Sequence, residues 1–326
     1  HGKLDLTEAE GLADLIDAQS TGQRRQALRQ MGGGLRLVYE GWRGKILDAL
    51  SMVEGEIDFP DEDGVPDALA ARAGPILADV GADIEAALAE SGRGETVRTG
   101  LDIAIIGAPN AGKSSILNRL ARRDAAIVAK QAGTTRDIVD IHTHIAGLAV
   151  RIADTAGLRS TQDPVEAEGV RRAKLRAKDA DLRLGVIDLA NTNTEVLCTL
   201  QKGDIIVYNK TDIAKPKDPP ENTLYQTFQV SAQTGDGFPA LETALEKLIQ
   251  HRYTSTEQAG LTRLRHRECA QNALRAVQSA TNSLSLAPEL AGADLHAALH
   301  AIKELAGESD IEAVLDRVFS QFCIGK

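Results

Sequence analysis

Apolar positions in the first part of the chain recur every three or four residues, the spacing of one helix face. Thr7 and Glu10 stand in capping-box spacing ahead of Leu12, Leu15 and Ile16, which predicts a helix start there. Leu28, Met31, Leu35, Val38, Trp42, Ile46, Leu50, Val53 and Ile57 then form one apolar stripe, read as a single long helix that Phe59-Pro60 ends. The Gly32-Gly33-Gly34 run weakens it locally, since each glycine costs about 1 kcal/mol against alanine. A third helix is predicted between Pro66 and Ser91, with Leu69, Leu77, Val80, Ile84 and Leu88 inward and Gly92-Arg93-Gly94 as its break.

The period changes near residue 97. Leu101 to Ile106 is an apolar run ending in Gly107, the pattern of a buried parallel strand. Strand-like runs follow at 138–145, 148–153, 182–187, 204–208 and 227–230, with helical stretches such as 115–121 and 166–178 between several of them. This alternation predicts a parallel or mixed sheet with helices on both faces, ending near Ile249. Helical spacing returns at about 260–284, 292–306 and 310–321. Three domains in series and one helical domain with an insertion both fit this order. The insertion is favoured, because the two short helical pieces can share one core. The expected fold is therefore α plus α/β: a helical-bundle domain from 1–97 and 253–326, with an α/β domain inserted at 98–252.

Composition narrows the class. The 326 residues carry a formal charge of −10, with 43 % apolar and 26 % charged residues, as an ordinary folded protein does. No apolar run reaches the length of about 18 residues that spans a membrane. An acidic chain with 3 % aromatics is not a bulk electrostatic binder of nucleic acid or a stacking platform. Cys198, Cys269 and Cys323 form no CxxC pair, which points to a reducing cytoplasm rather than a disulfide scaffold. The chain opens on His1-Gly2-Lys3 without Met, so a fragment of something longer is expected.

Gly107-Ala108-Pro109-Asn110-Ala111-Gly112-Lys113-Ser114 matches GxxxxGKS between a predicted strand and a predicted helix, with Ser115 next in the same set. Its glycines let backbone N–H groups turn towards phosphate oxygens. Lys113 brings a point charge to the outer phosphates, and Ser114 offers a hydroxyl to Mg²⁺. Asp154-Thr155-Ala156-Gly157 ends a strand, where a carboxylate can hold the metal through water and the Gly157 N–H can meet a terminal phosphate. Asn209-Lys210-Thr211-Asp212 follows another strand. The Asp212 carboxylate can accept two N–H donors from guanine, a pair that adenine lacks. Ser231-Ala232-Gln233 follows the next strand and can brace the base oxygen through backbone N–H groups, so the inserted α/β domain at 98–252 is read as a P-loop (Ras-like) GTPase domain. Gly133-Thr134-Thr135-Arg136-Asp137 supplies a threonine that can complete the Mg²⁺ shell only when the terminal phosphate is present.

Hydrolysis needs positive charge at the transferring phosphoryl and an acceptor for water. Leu158 occupies the place of the water-orienting Gln of many switch GTPases and cannot serve. Arg136 and Arg159 are candidate arginine fingers, and the Asn110 carbonyl suits a monovalent cation. Glu166 can reach back to water, but spacing alone favours a helix-start acid stabilised by the dipole.

GAPNAGKSS, AGTTRD, DTAGLR, NKTD, the stretch from Ala18 to Asp61 with its IDFP segment, and the terminal Phe322-Cys323-Ile324-Gly325-Lys326 together resemble the MnmE (TrmE) tRNA-modification GTPase family over essentially the whole chain. The resemblance implies GTP/GDP binding and hydrolysis stimulated by K⁺, which dimerises two G domains across their switches in a homodimer. It assigns K⁺ to Asn110, backbone groups of Ala129 and Gln131, and Thr134; it assigns Mg²⁺ to Ser114 and Thr135. Glu166 matches the glutamate that positions water through a bridging water. Gln131 and Gln233 are not the family's commonest choices, and backbone contacts tolerate that. The resemblance also implies work with an FAD-dependent partner, MnmG (GidA). Together they would add an aminomethyl or carboxymethylaminomethyl group to the wobble uridine of certain tRNAs. A folate-type one-carbon donor belongs to an N-terminal domain expected to be missing here; Lys3 and Lys326 match positions that approach it. Cys323 matches a cysteine required for modification rather than hydrolysis.

Two rival readings are a ribosome-assembly GTPase switch and a regulatory scaffold. The former often adds a KH module, whose GxxG would have to be Gly41 to Gly44, inside the helical stripe. His296 with His300, and His142 with His144, read as solvated faces rather than metal ligands.

Overall fold

A computed structural model of the protein describes residues 4–58, 68–121, 127–130, 139–154, 175, 177–191, 193–214, 224–253 and 260–307; of 127–130, 139–140 and 154 it describes the backbone alone. The chain divides into two compact units, His1–Arg98 with Thr256–Lys326, and Thr99–Ser255.

In the helical unit, α1 (Leu6–Asp17) is capped by Asp5, whose Oδ1 accepts the Glu8 N–H at 2.8 Å while Glu8 Oε2 accepts the Asp5 N–H at 2.9 Å. The expected Thr7–Glu10 box is thus displaced: both residues lie inside the helix and are buried. The expected long helix is two, α2 (Thr21–Met31) and α3 (Gly34–Asp58). Gly33 takes φ +82°, which a helix cannot contain, so the chain turns between two runs of one apolar stripe. By contrast α4 (Gly74–Thr99) runs through Gly92 and Gly94, where a break was expected. Gly41 and Gly44 lie within α3.

From the other end of the chain come α7 (Leu264–Ser283) and α8 (Pro288–Ala306). One hydrophobic core joins both ends: Leu35, Trp42 and Ile46 of α3 and Leu77 and Ile84 of α4 pack with Ala273 and Val277 of α7 and Leu295 and Ile302 of α8. Alanines along the buried faces of α7 and α8 let these helices approach closely. Among the described residues no helix is long and apolar enough to cross a membrane, and no group of His, Cys, Asp or Glu could hold a metal ion. His296 instead meets Glu54 at 2.9 Å.

The second unit holds a seven-stranded sheet in the order β2-β3-β4-β1-β5-β6-β7. Its strands are β1 (Leu101–Gly107), β2 (Ile127–Lys130), β3 (Val139–Ile145), β4 (Leu148–Asp154), β5 (Leu182–Asp188), β6 (Ile205–Asn209) and β7 (Gln226–Val230). The run from β4 to β7 is parallel; β2 and β3 are antiparallel. β1 is buried along nearly its whole length, as a central parallel strand must be. In β3, Ile141, Thr143 and Ile145 are buried while His142 and His144 are exposed. Two helices of this unit are α5 (Lys113–Leu120) and α6 (Phe238–Tyr253). The register pairs Gly107 with Val186 and Asp188 with Asn209, so β1, β5 and β6 end along one edge of the sheet. That carboxyl edge is where open α/β sheets bind ligands.

Candidate nucleotide-binding site

Residues 107–114 turn from the end of β1 into α5. Asn110 and Gly112 adopt φ +62° and +93°, which curls the loop. Gly112 is required on a second count: a Cβ there would lie 2.1 Å from Asn209 Nδ2. Gly107 closes on β5, since a Cβ would meet Val186 O at 2.4 Å. The buried Lys113 ammonium donates to Gly107 O at 3.0 Å and Ala108 O at 2.9 Å, which anchors its charge inside the loop. Ser114 and Ser115 sit exposed in the first turn of α5, beside N–H groups that no helical carbonyl reaches. This set of loop amides, ammonium and hydroxyl fits a phosphate chain with a hard divalent cation. The exposed Asn110 carbonyl is the same kind of hard oxygen ligand.

Asn209 joins the second and third loops to the first. Its Nδ2 donates to Ala111 O at 2.8 Å, and its Oδ1 accepts the Ala232 N–H at 3.0 Å. The side chain is buried, so both bonds are protected from water. Lys210 leaves the strand at φ +72° and donates to Asp188 Oδ2 at 2.6 Å. Burial works to raise the Asp188 pKa, but the Lys210 bond and the Ala190 N–H outweigh it, so the carboxyl stays below its ordinary value. Asp212 is exposed, and its Oδ1 accepts the Ser231 hydroxyl at 2.6 Å. Ser231 is fully buried and also accepts the Thr234 N–H at 3.1 Å. The carboxylate is thereby aimed by a rigid neighbour rather than left to rotate.

Asn110, Ala111, Gly112, Lys113, Ser114, Asn209, Lys210, Asp212, Ser231 and Ala232 therefore belong to three loops at the carboxyl edge of one sheet, with Asn209 bonded to the other two loops. The backbone places Ala129 in β2 and Asp154 at the end of β4, beside Ile105 of β1. Lys3, Gln131, Thr134, Thr135, Thr155, Ala156, Gly157, Glu166, Cys323 and Lys326, together with Arg136, Leu158 and Arg159, lie outside the described residues. Sequence reasoning missed Arg119, whose guanidinium donates to Ala232 O at 3.2 Å and Thr234 O at 2.9 Å. Nothing in the local pattern marks it, although the glycines of Thr234-Gly235-Asp236-Gly237 signal a tight turn that something must fill.

A family model described as the MnmE helical domain matches residues 6–323. The chain belongs to the MnmE family. It is 50 % identical to the tRNA modification GTPase MnmE of Maricaulis maris, over 99 % of this chain and 73 % of that protein. It is 47 % identical to the tRNA modification GTPase MnmE of Hyphomonas neptunium, over 100 % of this chain and 73 % of that protein. Among solved structures, the G domain of the T. maritima FeoB iron transporter matches 46 % of this chain and 99 % of its own at 25 % identity, with a TM-score of 0.38.

Proposed function

We infer that this chain hydrolyses GTP in the service of tRNA modification, as the names of its MnmE relatives describe. One observation carries the nucleotide part: a single buried side chain, Asn209, ties the phosphate loop to the loop that follows β7 and precedes Asp212 by three residues. Phosphate and base would thus be held at a fixed spacing. The loop amides and Lys113 bind the phosphates, and Asp212 accepts the guanine N–H pair. Asp154, Thr155, Ala156 and Gly157 would face the terminal phosphate. Mg²⁺ on Ser114 and Thr135, and K⁺ on Asn110, Thr134 and the backbone of Ala129 and Gln131, would supply charge at the phosphoryl group in place of an arginine finger. Glu166 accepts a hydrogen bond from bridging water and so orients the attacking water, a task closed to Leu158.

The finer reading is of a cytoplasmic homodimer whose G domains pair in K⁺, acting with the FAD-dependent MnmG on the tRNA wobble uridine. Lys3, Lys326 and Cys323 belong to that modification, with a folate derivative, rather than to hydrolysis. Hydrolysis measured in KCl against NaCl tests the cation: a gain in potassium alone is expected, and equal rates would sink the mechanism. Glu166→Ala is expected to slow turnover by about 100-fold with GTP affinity kept; unchanged turnover rejects its role. Asp212→Asn is expected to weaken guanine selectivity, and an unchanged preference for GTP rejects the base assignment.

A further inference from the structure

The loop from Ser231 to Asp236 satisfies nearly all of its own backbone donors. Ser231 N–H donates to Asp236 O at 3.0 Å and Gly235 N–H to Ser231 O at 2.8 Å. Ala232 N–H donates to Asn209 Oδ1, Thr234 N–H to Ser231 Oγ, and Asp236 N–H to Thr234 Oγ1 at 3.3 Å. Among the described residues, the N–H of the exposed Gln233 has no acceptor. Its peptide plane is not left free. Arg119 Nη1 donates to the carbonyl of that same peptide, Ala232 O, at 3.2 Å, and to Gln233 O at 3.4 Å. Nη2 donates to Thr234 O at 2.9 Å. In a planar trans peptide the C=O and the N–H point in opposite directions. Holding the Ala232 carbonyl therefore turns the Gln233 N–H away from Arg119.

The clamp is built to fit. The Arg119 guanidinium carbon lies over the Phe238 ring, 5.4 Å from its centroid, a cation–π contact that helps hold the side chain. Gly235 takes φ +97°, and a Cβ there would lie 1.8 Å from Arg119 Nη2, so only glycine leaves room for the fork. Arg119 projects from the last turn of α5, the helix whose first turn carries Lys113 and Ser114. One rigid helix thus reaches both ends of a nucleotide.

The geometry points to Arg119 as the positioning residue of the guanine loop: it grips Ala232, Gln233 and Thr234 by their carbonyls and presents the Gln233 N–H to the keto oxygen of the base. This rests on reading Asp212 and the Ser231–Gln233 loop as the guanine site. Arg119→Ala is expected to raise the Kd of fluorescent GDP about tenfold or more while kcat at saturating GTP stays within about twofold. The decisive readout is thio-GDP, in which sulfur replaces the keto oxygen. The protein as it stands should bind it more weakly than GDP, and Arg119→Ala should bind the two nearly alike. Arg119→Lys keeps the charge and stem without the fork and should fall between; it also serves if the alanine variant does not fold. Unchanged Kd in a folded variant, or weaker binding with the preference for GDP over thio-GDP intact, overturns the proposal. The base-site reading fails separately, if Asp212→Asn leaves guanine selectivity untouched.

Discussion

Asn209 shows how one amide side chain organises a site. Its donor and its acceptor are both engaged, on Ala111 O and the Ala232 N–H, and it is almost fully buried. Removing it leaves a carbonyl and an N–H without partners in a place water reaches poorly. Each such orphan costs about 1–3 kcal/mol. Asn209→Ala should therefore lower stability by at least about 2 kcal/mol and weaken GDP binding by about tenfold or more, since the two loops lose their common spacing. Urea unfolding and a fluorescent-GDP titration check both numbers, and a variant that loses neither would place the spacing elsewhere. The candidacy of Asp212 was legible in the sequence, because a carboxylate two residues after an Asn-Lys pair is a chemical pattern. The roles of Ser231 as its aligner, and of Arg119 as the clamp, were not. Arg119 lies more than a hundred positions from the carbonyls it holds, the separation to Ala232 being 113. No local pattern encodes a contact of that range.

Among the helices, glycine has opposite consequences at different positions. Gly33 breaks a helix because its φ is positive; Gly92 breaks nothing because nothing demands a turn there. Sequence carries the cost of glycine in a helix but not whether neighbouring packing meets that cost. β2 leaves no legible pattern for another reason: four residues are too few to establish a period of two. The helix and strand assignments that succeeded rest on long apolar runs, as in β1 and α3. Gly92 offers a direct check. An added Cβ would meet nothing within 4 Å, and the backbone there is already helical. Gly92→Ala should raise the stability of the helical unit by about 0.5–1 kcal/mol, chiefly by restricting the unfolded chain. A lower urea midpoint for the alanine variant would contradict a continuous α4.

The whole molecule depends on two distant stretches of chain finding each other, and a polar cluster closes that joint. His266 Nε2 lies 2.6 Å from Glu10 Oε2 across a separation of 256 residues, and Arg265 reaches the same carboxylate oxygen at 3.1 Å. Arg98 Nε donates to Thr262 O at 3.0 Å, clipping together the two ends of the helical unit that flank the other unit. The Thr262 N–H donates to His266 Nδ1, so Nε2 carries the proton and donates it to Glu10. His266 is fully buried, and burial first, then Arg265 and Arg263, hold its pKa below the ordinary 6.5 against the pull of Glu10. Burial acts to raise the Glu10 pKa, but His266, Arg265 and Arg263 overcome it and lower it from 4.5 to about 2. Both shifts have the same sign for stability. A buried imidazole held neutral stabilises the fold above pH 6.5, and this is lost as pH falls below that value, because the unfolded state then binds the extra proton. The carboxylate adds stability above pH 4.5 that is lost as pH falls towards about 2. The helical unit should therefore weaken on acidification in two stages. Trp42 is the single tryptophan of the chain and is buried in this core, so its fluorescence reports the unit by itself. Thermal unfolding followed at Trp42 should show a Tm that falls from about pH 6.5 downward, with the first stage flattened in His266→Gln, which has no proton to gain there. Parallel losses in the two proteins through that window would place the acid sensitivity outside this joint.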